Sequence, residues 1–339
     1  VLTCRNAILI DATYDEVLYD KGAYEKVYPA SITKLMTALL VLEAVDAGQL
    51  TLDTPITATA EALEVPEDSS VAGIQVGDTY TVEQFLYCLL LPSGNEVAQI
   101  LAITVDGSIE AFVEHMNRRA EELGCQGTHF VNPHGYHDDN HYTTAYDITR
   151  FMKAAMEYDL FQTILTSPNY TLPANGVSEE RIIRNTNALT SNYRYPGYLY
   201  GPGTGGKTGT TVEAGNCLVE TAREGDMYLI SVILGAEEVE LDNGDVDRRQ
   251  FSETIKLLDW GFDNFQRVTL SPDETLVTKV RVNLSTQADE VNVRPLGSIT
   301  RTLPNDIDLD QVEMIPNLIS EEVDAPVEAG QVLGTLVIR

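Results

Sequence analysis

The pattern of secondary-structure signals changes near residue 263, and this change limits the folds that the chain can adopt. Before it, amphipathic helical segments mix with strand-like runs, and the almost wholly apolar run over residues 227–235 is typical of a central strand. After it, helical signals end and short alternating runs such as Val280-Arg281-Val282 remain. We therefore predict a mixed α/β (α+β) domain over residues 1–262 and a small all-β sandwich or barrel over residues 263–339.

Strand signals lie at both ends of the first domain, so one sheet is expected to join them. A hairpin is predicted around Thr13-Tyr14-Asp15, and two late strands cover residues 216–221 and 227–235. Thr81-Val82-Glu83-Gln84 is a capping-box pattern that predicts the start of a helix, and Pro92 ends that helix. The predicted helices cover residues 31–46, 82–91, 96–104, 108–123, a segment from Thr144 onward, and 251–260.

The charge of the chain limits its partners. The chain has 22 Lys and Arg residues against 52 Asp and Glu residues, which gives a net charge of −30. Since cationic side chains supply most of the affinity for a phosphate backbone, nucleic acid is excluded as a partner. The negative electrostatic field that this charge creates also disfavours the binding of nucleotides and of anionic lipid surfaces, unless a local basic site overrides it. No run approaches the roughly 18 consecutive apolar residues of a membrane-spanning helix, and no signal peptide is recognisable.

The first motif that could carry chemistry is Ser31-Ile32-Thr33-Lys34, at the start of the first predicted helix. Because residues three apart share a helix face, the Lys34 amine can reach the Ser31 hydroxyl. A lysine whose pKa is lowered by burial or by a nearby cation can take the proton of a serine and make it a nucleophile. The motif alone is weak, because a helix cap followed by a surface lysine has the same residues.

The second motif, Ser93-Gly94-Asn95, follows Pro92 between two apolar helices. A serine hydroxyl can relay a proton, and an asparagine amide both donates and accepts hydrogen bonds. The same three residues are also favoured in ordinary interhelical turns, so this motif alone does not indicate a site.

The third motif, Lys207-Thr208-Gly209, has two interpretations. Residues 201–208 match the phosphate-loop pattern G-x-x-x-x-G-K-[ST], but that pattern needs a strand before it and a helix after it. The preceding segment is rich in turn residues and the following one starts no helix, so a nucleotide site is disfavoured. The alternative is an edge strand on which Lys207 and Thr208 bind a carboxylate. Gly209 would then let a substrate backbone approach, and the Thr210 N–H would help to bind an oxyanion.

The three motifs S-x-x-K, S-D-N and K-T-G together mark class A β-lactamases and penicillin-binding proteins. Here they start, in that order, at residues 31, 93 and 207, with Gly94 at the middle position of the second. On these motifs the chain resembles the low-molecular-mass, penicillin-binding-protein-5-like serine D-alanyl-D-alanine carboxypeptidases of peptidase family S11. The resemblance extends to the segments 28–40, 91–96, 128–135, 141–147, 256–262 and 329–335.

This resemblance implies a β-lactamase/transpeptidase-like catalytic domain followed by the all-β domain. It also implies that the chain hydrolyses the terminal D-Ala-D-Ala bond of peptidoglycan stem pentapeptides through an acyl-enzyme on Ser31, with Lys34 as general base. Ser93 would relay the proton to the departing D-alanine, and the Ser31 and Thr210 N–H groups would form the oxyanion hole. The expected catalytic residues are Ser31, Lys34, Ser93, Asn95 and Lys207, and the expected substrate-binding residues are Thr208, Gly209 and Thr210.

The resemblance also sets the expected partners, which are the peptidoglycan stem peptide and, as covalent inhibitors, β-lactam antibiotics. No cofactor or metal is expected, and a membrane would be reached only through an anchor that the chain lacks. The expected location is extracytoplasmic, on the outer face of the bacterial cytoplasmic membrane or secreted, with the chain a trimmed form of a longer protein. The alternatives are a serine β-lactamase, a D,D-endopeptidase and a non-catalytic wall-binding protein. The E-x-x-L-N segment of class A β-lactamases is missing.

Other residues that often carry chemistry give weaker signals. Four scattered cysteines, without a C-x-x-C pair, are interpreted as isolated buried thiols rather than as disulfides. His134, His137 and His141, with two aspartates nearby, have ligand chemistry, but their spacing does not fit a zinc motif and a metal site is disfavoured. Arg248 and Arg249 precede the last predicted helix and receive no role.

Overall fold

The computed structural model of the protein describes residues 1–271 and 277–339. The chain divides into two compact units, Val1–Gly261 and Phe262–Arg339. Among the described residues, no helix has the length and apolar character needed to cross a membrane.

The first unit mixes helices and strands. Its helices are α1 (Lys34–Asp46), α2 (Val82–Leu90), α3 (Asn95–Asp106), α4 (Ile109–Glu122), α5 (Ala145–Ala155), α6 (Asp159–Thr166) and α7 (Arg249–Asn264), the last of which ends beyond Gly261. Its strands are β1 (Asn6–Asp11), β2 (Glu16–Lys21), β3 (Pro55–Thr57), β4 (Thr79–Thr81), β5 (Asn169–Leu172), β6 (Arg181–Arg184), β7 (Gly203–Thr211), β8 (Gly215–Glu224), β9 (Met227–Ala236), β10 (Glu238–Glu240) and β11 (Val246–Arg248).

An antiparallel sheet in the order β2-β1-β9-β8-β7 joins the two ends of this unit, which confirms the sequence prediction. Every residue of β1 is buried, and so is every residue of β9 except the half-buried Tyr228. Helix α1 is apolar on almost all sides, and ten of its thirteen residues are buried. A helix that is apolar on every side belongs in the interior, so α1 lies within the core.

Local sequence signals place most helix starts correctly. Thr81 and Gln84 form the predicted capping box of α2, and the Thr144 hydroxyl caps α5 by accepting a hydrogen bond from the Asp147 N–H. The helix predicted from residue 31 is partly wrong, because Ala30–Thr33 forms a 3₁₀ turn and the α-helix begins only at Lys34. Helix α6 and the pairs β3–β4, β5–β6 and β10–β11 were not predicted, since each element has eight residues or fewer and too little periodicity to identify it.

The second unit is built from strands, as expected. They are β12 (Phe265–Ser271), β13 (Thr278–Asn283), β14 (Glu290–Val293), β15 (Ile299–Pro304), β16 (Met314–Leu318), β17 (Glu322–Asp324) and β18 (Gly334–Ile338). They form the sheets β12–β15, β14-β13-β17 and β16–β18. β13 ends at Asn283, and the next residue, Leu284, has a left-handed φ of 57°.

Candidate active site

The Ser31 and Lys34 side chains meet at the junction of the 3₁₀ turn and α1. Residues three apart eclipse one another in a 3₁₀ turn, so the two side chains stack. Lys34 Nζ lies 2.9 Å from Ser31 Oγ, within hydrogen-bond distance. Ala30, immediately before Ser31, has a φ of 49°, which an alanine adopts only at a cost and which turns the chain into this junction. The structure therefore places an amine against the serine hydroxyl, as the motif predicts.

Lys34 is fully buried and has two further partners. Its Nζ donates to Asn95 Oδ1 at 2.7 Å and to the His134 carbonyl at 2.9 Å. Burial, and after it the nearby Lys207 ammonium, hold the pKa of Lys34 well below its usual value. An amine in this environment can be neutral near neutral pH, and a neutral amine can accept a proton from Ser31.

Lys207 and Ser93 form a second hydrogen-bonded pair. Ser93 has a left-handed φ of 67° in the turn between α2 and α3, and it is nearly buried. Lys207 Nζ donates to Ser93 Oγ at 3.0 Å and to the Thr208 carbonyl at 2.8 Å. Burial lowers the pKa of Lys207 to about 7.

The strand β7 lies at the edge of the sheet and passes close to the start of the 3₁₀ turn. A Cβ atom added to Gly209 would be 3.0 Å from the Pro29 carbonyl oxygen and 3.1 Å from the Ser31 nitrogen. The predicted edge strand is confirmed, and residues 203–211 form one continuous strand rather than the loop and helix that a phosphate-binding site needs. Thr208 Oγ1 lies 2.6 Å from Thr186 Oγ1, and the exposed Thr210 hydroxyl donates to Asn216 Oδ1.

The structure thus brings the three sequence motifs together. Ser31, Lys34 and Asn95 are joined by hydrogen bonds, Lys207 is joined to Ser93, and Gly209 lies beside the Ser31 nitrogen. The two lysines are close enough for Lys207 to lower the pKa of Lys34. Such an arrangement can activate a serine and present a cation to an anionic ligand in one place.

One residue beside the second motif, Glu96, was not predicted to have a role. Glu96 accepts hydrogen bonds from the Ala72 and Ile74 N–H groups, and burial raises the pKa of its carboxyl. It ties the chain around residue 72 to the start of α3, next to Asn95. Its only sequence signal is its position directly after the Ser-Gly-Asn motif.

Two of the three histidines, His134 and His141, contact the turn that carries Ser31 and Lys34. His141 Nε2 lies 2.7 Å from Thr33 Oγ1, and His134 presents its carbonyl to Lys34. Burial lowers the pKa of both His134 and His141 to about 3, so both imidazoles are neutral. In the described part of the chain, no three His, Cys, Asp or Glu side chains are grouped to hold a metal ion.

The structure also shows the surroundings of the four cysteines and of the two arginines named in the sequence analysis. Cys4, Cys88, Cys125 and Cys217 are all free and buried, which confirms the isolated-thiol interpretation. The Arg248 guanidinium lies 3.9 Å from the centre of the Tyr195 ring, and Arg249 donates to Thr3 Oγ1.

Comparison with known proteins agrees with this fold and geometry. D-alanyl-D-alanine carboxypeptidase DacF of Bacillus subtilis is 31% identical over 99% of this chain and 81% of its own length. DacC of Escherichia coli is 34% identical over 98% of this chain and 79% of its own length. Penicillin binding protein 5 of Haemophilus influenzae superposes with a TM-score of 0.80 at 26% identity, over 100% of this chain and 93% of that structure.

These relatives place the chain in the class of D-alanyl-D-alanine carboxypeptidases, with a mixed α/β domain and a separate β domain. The family model described as D-alanyl-D-alanine carboxypeptidase, peptidase S11, matches residues 2–238. The chain belongs to this family.

Proposed function

We propose that the chain hydrolyses the bond between the two terminal D-alanines of peptidoglycan stem pentapeptides and releases D-alanine. The observation that carries this proposal is the buried Lys34 amine 2.9 Å from the Ser31 hydroxyl, in a chain of the D-alanyl-D-alanine carboxypeptidase family. The relatives DacF and DacC bear the name of this activity.

In the first step, neutral Lys34 takes the proton of Ser31, and Ser31 Oγ attacks the carbonyl carbon between the two D-alanines. The carbonyl oxygen gains the negative charge, and the N–H groups of Ser31 and Thr210 stabilise it. The position of Gly209 beside the Ser31 nitrogen supports this role, since a side chain on residue 209 would occupy the space next to that N–H.

The intermediate then collapses as its C–N bond breaks. The proton held by Lys34 passes through the Ser93 hydroxyl to the leaving amine, and D-alanine departs. Ser93 suits this relay because its hydroxyl is nearly buried and bonded to Lys207. Water then attacks the acyl carbon of the Ser31 ester, its hydroxyl joins that carbon, the bond between the acyl carbon and Ser31 Oγ breaks, and the other proton of the water returns to Ser31 Oγ. Throughout, Asn95 holds the substrate amide and orients Lys34, to which it is bonded.

The terminal carboxylate of the substrate binds to Lys207 and Thr208. A chain with a net charge of −30 repels anions at long range, so a local cation is needed to hold this carboxylate. Lys207 supplies this charge from a buried position, where charge–charge interactions are stronger than in water.

Penicillins acylate Ser31 in the same way and act as covalent inhibitors. The name of the Haemophilus influenzae relative, penicillin binding protein 5, supports this part of the proposal. The substrate belongs to the cell wall, so the enzyme acts outside the cytoplasm.

The test is D-alanine release from a pentapeptide that ends in D-Ala-D-Ala. We expect release by the wild-type chain and none by Ser31→Ala, with thermal unfolding of both to show that the variant is folded. A folded wild-type chain that releases no D-alanine contradicts the proposal and favours a non-catalytic wall-binding protein. Cleavage of a cross-linked peptide dimer in preference to the pentapeptide favours an endopeptidase, and turnover of penicillin within seconds favours a β-lactamase.

A further inference from the structure

A buried carboxyl group lies on β8 outside the proposed catalytic set. Glu220 has no exposed surface. Its Oε2 accepts from Asn187 Nδ2 at 2.6 Å, and its Oε1 accepts from the Gly205 N–H at 3.1 Å. Burial raises the pKa of this carboxyl to about 8.

The glycine-rich segment before Lys207 is shaped around this carboxyl. A Cβ atom on Gly203 would lie 3.1 Å from Glu220 Oε1, and one on Gly206 would lie 2.2 Å from Glu220 Oε2. Side chains at these positions would displace the carboxyl. The glycines that match the phosphate-loop pattern therefore leave room for the Glu220 side chain against β7.

Stability alone does not explain an acidic residue at this position. Leu218 and Ala222, two residues before and after on the same face of β8, are buried and apolar. Burying a carboxyl is costly, and apolar side chains of similar volume often replace buried polar networks without loss of stability. The carboxyl therefore has a task other than filling the core.

The hydrogen bonds of residues 185–187 indicate that task, because they join this segment to three other parts of the unit. Asn185 Nδ2 donates to the Leu165 carbonyl at 3.1 Å. The Thr186 N–H donates to the Leu91 carbonyl at 3.1 Å, two residues before Ser93, and its hydroxyl lies 2.6 Å from that of Thr208. Asn187 completes the segment through its bond to Glu220.

We propose that Glu220 is a positioning residue for the carboxylate subsite. Glu220 holds the Asn187 amide, Asn187 fixes the backbone next to Thr186, and the Thr186 hydroxyl orients the Thr208 hydroxyl toward the substrate carboxylate. Because the segment also bonds to Leu91, the same network sets the distance between the Ser93 turn and β7. This inference rests on the proposed binding of the terminal carboxylate by Lys207 and Thr208.

The test compares Glu220→Gln with Thr221→Val. Glu220→Gln keeps the volume but replaces one carboxyl oxygen with an NH2 group, which cannot accept a hydrogen bond from the Asn187 amide or the Gly205 N–H. Thr221 is the next residue on β8, is fully buried, and donates to the Gly205 carbonyl at 2.9 Å, but it has no bond to Asn187. We expect Glu220→Gln to raise KM for the pentapeptide about tenfold with kcat within about twofold, as for the loss of one buried hydrogen bond. Thr221→Val should leave both parameters within about twofold while lowering the melting temperature.

A double-mutant cycle tests the route through Thr186. If Glu220 acts through Thr186, then Glu220→Gln raises KM no further in a Thr186→Val background. Independent, multiplying effects on KM overturn the inference, as does an equal KM change in Glu220→Gln and Thr221→Val. If Glu220→Gln does not fold, Asn187→Ala is measured instead, with the same expected rise and the same refutation. A wild-type chain that releases no D-alanine contradicts the proposed function, whereas an active wild-type chain with an unchanged Glu220→Gln contradicts only this inference.

Discussion

Gly135 follows His134, whose carbonyl accepts a hydrogen bond from Lys34, and it packs against the 3₁₀ turn that contains Ser31. Replacing Gly135 with alanine should separate Ser31 from Lys34. Gly135 has a φ of 88°, and a Cβ atom there would lie 1.8 Å from the Ala30 carbonyl oxygen and 2.8 Å from Thr33 Oγ1. Contacts under 3.0 Å are essentially never seen for a real Cβ, so the backbone of Ala30 has to move away. Ser31 is the next residue, and Lys34 is tied to the His134 carbonyl on the other side.

Two energetic costs set the expected loss of stability, and the displacement of Ser31 sets the expected loss of rate. An alanine at positive φ costs roughly 1–2 kcal/mol, and overpacking a rigid interior typically costs about 1–3 kcal/mol more. A displacement of about 1 Å at a reacting group lowers the rate on the order of 100-fold. Gly124 supplies the matched control, since its φ is 78° and its added Cβ would meet nothing within 4 Å. Gly124→Ala should therefore show the backbone cost alone.

The assay is the second-order rate of acylation by a fluorescent penicillin, with thermal unfolding of each variant. We expect Gly135→Ala to acylate about 100-fold more slowly than the wild type, and Gly124→Ala to stay within about twofold. Measurements on the folded fraction separate loss of catalysis from loss of stability. If Gly135→Ala acylates as fast as Gly124→Ala, the contact with Ala30 does not position Ser31 and the reasoning fails.

Two further predictions concern pH and helix capping. The pKa of Lys207 is about 7 and that of Lys34 is held well below its usual value, so kcat/KM for the pentapeptide should fall both as Lys34 gains its proton at low pH and as Lys207 loses its proton above about pH 7. A substrate with an amidated C-terminus should lose the alkaline limb only, and an unchanged alkaline limb would argue against Lys207 as the carboxylate partner. Thr144→Ala removes the cap of α5 and should lower the free energy of unfolding by about 1 kcal/mol, whereas Thr144→Ser keeps it. Equal stability of these two variants in denaturant titrations would contradict the capping role.

The parts of this structure that could be predicted from the sequence are those set by neighbouring residues. The Ser31–Lys34 contact spans three residues, and the capping box of α2 spans Thr81 to Gln84, so spacing alone predicts both. The edge strand with Lys207 followed from the absence of a helix after the glycine-rich segment.

The contacts that tune the site join distant parts of the chain, and spacing says nothing about them. The His134 carbonyl that holds Lys34 is 100 residues away from it, and the Asn187 amide that holds Glu220 is 33 residues away. The three histidines attracted a metal hypothesis because their side chains have ligand chemistry, whereas it is the backbone of His134 that contacts Lys34. The left-handed conformations of Ala30 and Ser93 also carry no local signal, since both residues usually avoid positive φ.

The identity of the nucleophile is the central claim, and the mass of the penicillin adduct tests it most directly. After incubation with penicillin, proteolysis and mass spectrometry should find one penicilloyl group, on Ser31, in the wild-type chain. The folded Ser31→Ala variant should carry none, while Thr144→Ser, which leaves the site intact, should be labelled like the wild type. An adduct on another residue of the wild-type chain, or covalent labelling of Ser31→Ala, would contradict the assignment of Ser31 and with it the proposed mechanism.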